Sequence, residues 1–164
     1  MTDEKTLTAL VQQVAARLLA ARGALVTAES CTGGWVGEAV TMVSGSSEWF
    51  ERGFITYTNV AKQEMLGVKA ATLEAYGAVS EPTVLEMVAG ALANSHGHVA
   101  VAVSGVAGPT GGTPAKPVGT VCLAWGFSGA EPTAVTRHYA GDREAVRRQS
   151  VVEVLQGVLK LAQG

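Results

Sequence analysis

Ser30, Cys31 and Thr32, followed at once by Gly33 and Gly34, form a short polar group able to supply a nucleophile and an anion pocket together. They come after the apolar run Ala24, Leu25, Val26 and open into the helix-like stretch Trp35–Val43. A turn leaving a strand exposes its side chains, and the start of the next helix offers backbone N–H groups without partners. A serine attacks a carbonyl only if a base removes its proton. The chain has three histidines, and each reads as a surface or structural residue: His96 and His98 flank Gly97 at a helix-to-strand junction, and His138 falls in an alternating strand. Lysine replaces histidine as the base in several unrelated hydrolases. Lys62 follows Tyr57-Thr58-Asn59-Val60-Ala61 and falls in the first turn of a short helix, whose positive end disfavours the ammonium form and lowers its pKa. A solvated helix-surface lysine also fits this position, and spacing alone favours it. Cys31 is the other candidate nucleophile; with no histidine to generate its thiolate, it reads as a small buried apolar side chain.

The second group is the segment Ser104 to Thr113, in which five of ten residues are Gly or Pro (Gly105, Gly108, Pro109, Gly111, Gly112). Glycines after a strand let backbone N–H groups approach an anion, and Thr110 and Lys116 stand close by. A connection that simply needs turns has the same composition. The chain lacks the Gly-x-x-x-x-Gly-Lys-Ser/Thr signature of nucleoside triphosphatases. Arg143 and Arg147 lie four residues apart on one helix face, within reach of a phosphate or carboxylate or of water alone.

The elements that must hold these groups alternate along the chain. Leu7, Leu10, Val11, Val14, Leu18 and Leu19 predict a helix over 6–22 with Gly23 as its stop. A strand leads into Ser30, the second helix ends before Ser44-Gly45-Ser46-Ser47, and Phe50–Thr58 reads as a strand. Asn59 is expected to cap a helix to Leu66, closed by Gly67, and residues 70–76 a further one closed by Gly77. Ser80 and Pro82 open a helix to about Ser95. Val99–Val103 is a wholly apolar strand, and Val118–Phe127 and Thr133–Tyr139 form a hairpin. Asp142 caps the last helix, which runs nearly to the end. These elements predict an α/β fold, a three-layer α/β/α sandwich around a mixed sheet of about five strands, in a single domain over 1–164.

Composition narrows the function. At 164 residues the chain can bury roughly two-thirds of its unfolded surface. A net charge of −2 with scattered Lys and Arg gives no nucleic-acid footprint. Residues 1–6 are polar and no apolar run approaches the roughly 18 residues of a membrane span, so a soluble cytoplasmic protein is expected. Cys31 and Cys122 lack metal-ligand spacing and read as reduced thiols, and His, Asp and Glu never cluster, so neither a metal nor a cofactor is expected. The hairpin edge over 118–139 suggests pairing in a homo-oligomer.

Taken in order, LVTAESCTGG (25–34), GFITYTNVAKQEMLGV (53–68), GAVSE (77–81), SGVAGPTGG (104–112), KPVGTV (116–121) and GDREAVR (141–147) closely resemble the C-terminal domain family of the competence- and damage-inducible protein CinA, from about residue 5 to 162. The resemblance implies a stand-alone deamidase domain that converts nicotinamide mononucleotide and water to nicotinate mononucleotide and ammonia. It implies that Ser30 attacks the carboxamide, that Lys62 takes and returns the proton, and that Tyr57 orients or relays within the pair. Amides of Cys31, Thr32, Gly33 and Gly34 become candidates for an oxyanion hole. The loop with Ser104, Gly105, Gly108, Thr110, Gly111 and Gly112, helped by Arg143 or Arg147, would hold the 5′-phosphate. Two alternatives remain. A non-catalytic nucleotide-binding module would keep its affinity and effect without Ser30, and a serine–lysine amidase of other specificity would accept substrates without a phosphate.

Overall fold

Leu25–Glu29 forms strand β1, and all five residues are buried, as they must be in a strand flanked on both sides and covered on both faces. In the computed structural model, which describes residues 3–161, Phe50–Ile55 (β2) pairs parallel to one side of β1. Val99–Gly105 (β3) pairs parallel to its other side. Thr120–Phe127 (β4) and Thr133–His138 (β5) continue the sheet antiparallel, giving the order β2-β1-β3-β4-β5. Met1 and Thr2 of the polar start, and residues 162–164 at the end of the expected domain, lie outside the described residues.

Alternation along the strands sends two kinds of side chain to the two faces. Leu25, Val99, Val101, Val103, Val121, Leu123 and Trp125 pack against Glu4–Ala21 (α1), Trp35–Val40 (α2) and Arg143–Leu161 (α6). Each fully buried Val or Leu there contributes about 1.5–3 kcal/mol. The opposite face carries Val26, Ala28, Ala100, Ala102, Cys122 and Ala124 under Asn59–Leu66 (α3), Ala70–Tyr76 (α4) and Glu81–Ala93 (α5). Its small side chains let that layer come close. At Gly90 of α5 a Cβ would sit 1.8 Å from the Leu66 carbonyl oxygen, so α3 and α5 meet backbone to backbone. The expected layered α/β architecture is therefore what the chain adopts. Among the described residues no helix is long and apolar enough to cross a membrane.

Several boundaries differ from expectation for identifiable reasons. Helix α1 closes on Arg22, with φ 52° in the left-handed region, one residue before Gly23. Helix α2 ends at Val40, where the Thr41 hydroxyl donates to the carbonyls of Gly37 and Glu38 and competes with continued helix. A 3₁₀ turn over Ser46–Glu48 fills the expected break. Strand β2 stops at Ile55 because Thr56 and Tyr57 turn their carbonyls toward Lys62. Thr58, not Asn59, caps α3, its side chain accepting from the Ala61 amide at 3.1 Å. The hairpin starts two residues late, at Thr120, after Gly119 at φ +96°.

Candidate active site

From β1 the chain crosses to β2 on one side, while β3 lies on the other. A crevice opens beyond the carboxyl ends of β1 and β3, where strand order reverses, and this is where open α/β sheets bind ligands. Here it is a cleft of about 250 Å³ lined by Ser30 and Cys31 after β1, Ser104 to Gly108 with Thr110 and Gly111 after β3, Tyr57 and Lys62 around the start of α3, Ala78 and Val79 before α5, and Arg143 at the start of α6.

Lys62 is 1% exposed and points into the base of this cleft. Its Nζ lies 2.9 Å from Ser30 Oγ, 3.0 Å from the Thr56 carbonyl oxygen and 3.3 Å from that of Tyr57. In the neutral amine the two hydrogens are taken by the two carbonyls, which leaves the lone pair facing the serine proton. Burial holds the Lys62 pKa below the ordinary lysine value of 10.5. Ser30 Oγ also lies 3.3 Å from the Tyr57 carbonyl. Tyr57 therefore meets the pair through its main chain, while its half-exposed phenol accepts from Arg143 at 3.0 Å.

Cys31 is buried, and burial pushes its thiol up to about 11, so it is protonated at neutral pH and carries no nucleophilic thiolate. Among the described residues its amide donates to no protein acceptor, whereas the Gly33 amide is taken by the Ser30 carbonyl at 3.0 Å. Gly33 and Gly34, at φ +59° and +104°, make the left-handed turn that joins Thr32 to α2 and do not line the cleft. Thr32 is fully buried and donates from its hydroxyl to Glu29. Arg147 lies behind the turn, not in the cleft: it donates to the Cys31 and Thr32 carbonyls at 3.1 and 3.2 Å and lies over the Trp35 ring. It braces the Ser30–Thr32 turn from behind.

Arg143 occupies the position Arg147 does not. It donates to the Gly108 carbonyl at 2.8 Å and so links the glycine-rich loop to Tyr57 across the cleft. Gly108 has φ +85°, and a Cβ there would lie 2.5 Å from Val118 Cγ1. Gly112 packs against Val118 outside the cleft. His96, His98 and His138 are exposed and none lines the cleft; His98 accepts from the Ala24 amide and His138 contacts Thr120. Sequence reasoning passed over Glu29, Ala78 and Val79. The only charged residue of β1, Glu29 was open to notice as a carboxylate ending an otherwise uncharged strand.

The chain is thus an α/β domain with a buried serine–lysine pair at a strand-order switch, a geometry suited to acyl transfer. The profile of the CinA C-terminal domain matches residues 7–162. The chain is 54% identical over 159 residues to the nicotinamide-nucleotide amidohydrolase PncC of Escherichia coli strain K12, covering 95% of this chain and 94% of that protein. It is 52% identical over 155 residues to the protein of the same name from Pseudomonas putida, covering 94% and 96%. The crystal structure of the competence/damage inducible protein CihA from Agrobacterium tumefaciens superposes with a TM-score of 0.93 at 39% identity, covering 98% and 97%. This chain belongs to the CinA C-terminal domain family.

Proposed function

We propose that this chain, acting as a single cytoplasmic domain, hydrolyses the carboxamide of nicotinamide mononucleotide to give nicotinate mononucleotide and ammonia. Neutral Lys62 accepts the Ser30 proton as Oγ bonds to the carboxamide carbon. The oxyanion draws on the free amide of Cys31; in other enzymes, losing one such donor costs about 2.7–4 kcal/mol. The C–N bond breaks as Lys62 returns the proton to the departing nitrogen, releasing ammonia and leaving an ester on Ser30. Water then attacks that ester, giving up a proton to Lys62, and Lys62 reprotonates Ser30 as the carboxylate leaves.

Arg143 and the main chain of Gly108 to Gly111 take the 5′-phosphate, so that binding energy remote from the amide orients it for attack. The observation that carries this reading is the 2.9 Å contact of a buried lysine with Ser30, the amine's other partners being two carbonyls. Names of relatives aligned over nearly the whole chain support the substrate.

The test is ammonia release at neutral pH from nicotinamide mononucleotide, its riboside and free nicotinamide. Turnover of the mononucleotide alone is expected; equal turnover of the riboside would move the assignment to an amidase of other specificity. The homo-oligomer expected from the hairpin edge over 118–139 would pair through β5, which lies at one edge of the sheet. Light scattering reads that state directly.

A further inference from the structure

We infer that Glu29 is a positioning residue that sets the distance between Ser30 and Lys62. This inference rests on the serine–lysine reading above. Glu29 is 2% exposed and has no ion-pair partner among the described residues, yet both its carboxylate oxygens are fully engaged. Oε1 accepts from the Thr32 hydroxyl at 2.5 Å and from the Val36 amide at 2.8 Å, and Oε2 accepts from the Gly37 amide at 3.0 Å. Charge-assisted bonds of this kind are about twice as strong as neutral ones, and an unsatisfied carboxylate at this depth would be costly. Together they tie the residue just before Ser30 to the residue two after it and to the first turn of α2, so the nucleophile is held from both sides.

The main chain of Glu29 carries the same constraint to the base. Its carbonyl accepts from the Thr56 amide at 2.8 Å, and the Thr56 carbonyl in turn accepts from Lys62 Nζ at 3.0 Å. One residue thus fixes the serine through three hydrogen bonds to its side chain and the lysine through two that run from its carbonyl by way of Thr56. Glu29 does not line the cleft, and nothing in the geometry gives it contact with substrate. Its effect must fall on the attack and not on nucleotide binding, because the groups assigned to the phosphate lie across the cleft on Arg143 and the glycine-rich loop. A displacement of about 1 Å in a reacting pair is enough to cost on the order of 100-fold in rate.

The test compares variants of Thr32, the side chain that reports on the Glu29 bond without removing the buried charge. Thr32→Val keeps the shape and deletes the hydroxyl, whereas Thr32→Ser keeps the hydroxyl and deletes a methyl. Steady-state ammonia release from nicotinamide mononucleotide is measured for both, for Glu29→Gln and for Ser30→Ala, with thermal unfolding run alongside. The expected result is a fall in kcat of roughly 10- to 100-fold for Thr32→Val and Glu29→Gln. KM should stay within about twofold, and Thr32→Ser should restore kcat to within about threefold of wild type. A Thr32→Val kcat equal to or above that of Thr32→Ser would mean that packing, not the bond to Glu29, holds the turn, and would overturn the inference while leaving the serine–lysine reading intact. Parallel changes in KM would overturn it likewise. Full activity in Ser30→Ala, or no turnover by wild type, would overturn both, since no nucleophile would remain to position.

Discussion

The turn after β1 and the loop after β3 leave neighbouring parallel strands at the same end of the sheet, yet they are built in opposite ways. Ser30, Cys31 and Thr32 are buried and fastened by Glu29 and Arg147. Residues 109–115 are exposed, and the loop is tied back at isolated points, such as Thr113 to Lys116 and Gly108 to Arg143. The contrast teaches how this topology divides its work. The side of the cleft proposed to make and break bonds is fixed in position by side chains, while the side proposed to hold the phosphate presents backbone at the surface. On the proposed mechanism, altering the buried pair should cost rate, and altering the exposed loop should cost affinity.

That division can be broken from either side. Lys62→Met keeps the length and apolar stem but removes the proposed base, and kcat is expected to fall on the order of 100- to 10,000-fold with KM little changed, read by ammonia release. In the wild type, kcat/KM should rise with pH through an ionisation below 10.5, because in the proposed mechanism only neutral Lys62 can accept the serine proton. Stability should show the same group. The folded-state pKa lies below the unfolded one, so the unfolded chain binds the proton more readily and wild-type stability rises as pH climbs from the folded value toward 10.5. In denaturant titrations Lys62→Met is therefore expected to be the more stable protein at pH 7, by a margin that shrinks at pH 10.

On the loop side, Arg143→Ala removes the link between Gly108 and Tyr57, and KM should rise roughly 10- to 100-fold with a smaller change in kcat. A kcat loss as large as that of Lys62→Met would erase the distinction between the two regions. The smallest effect is expected at Cys31. With its thiol pushed up to about 11, Cys31→Ala should keep kcat within about threefold, and a thiol-directed alkylating reagent at pH 7 should leave the enzyme active.

The same contrast governs what could be read from the residues alone. Alternating apolar and glycine-punctuated segments made the helices and strands legible, and Gly77 and Ser80 marked helix ends where the structure has them. The polar cluster after β1 and the glycine-rich loop after β3 were legible as a pair because both leave apolar strands in one ordered set of motifs, although the loop's composition alone also fits a plain connection. Long-range contacts were not. That Lys62 is buried, and not solvated, depends on α3 pressing against α5 at Gly90, and no local pattern encodes it. Arg143 and Arg147 share a helix face in sequence, but one turn of α6 separates the cleft from the back of the Ser30 turn, and only the packing of α6 against α2 decides which arginine faces which. Tyr57 meets Ser30 and Lys62 through its carbonyl, which any residue possesses.

The central claim is that the Ser30 oxygen makes the first bond to the carboxamide. Initial rates of ammonia release at saturating nicotinamide mononucleotide, for wild type and Ser30→Ala, test it most directly when nucleotide affinity is measured for both by calorimetry. Ser30→Ala should lose at least about a thousandfold in rate with affinity preserved; a Ser30→Ala enzyme that still turns over within tenfold of wild type would show that Ser30 is not the nucleophile.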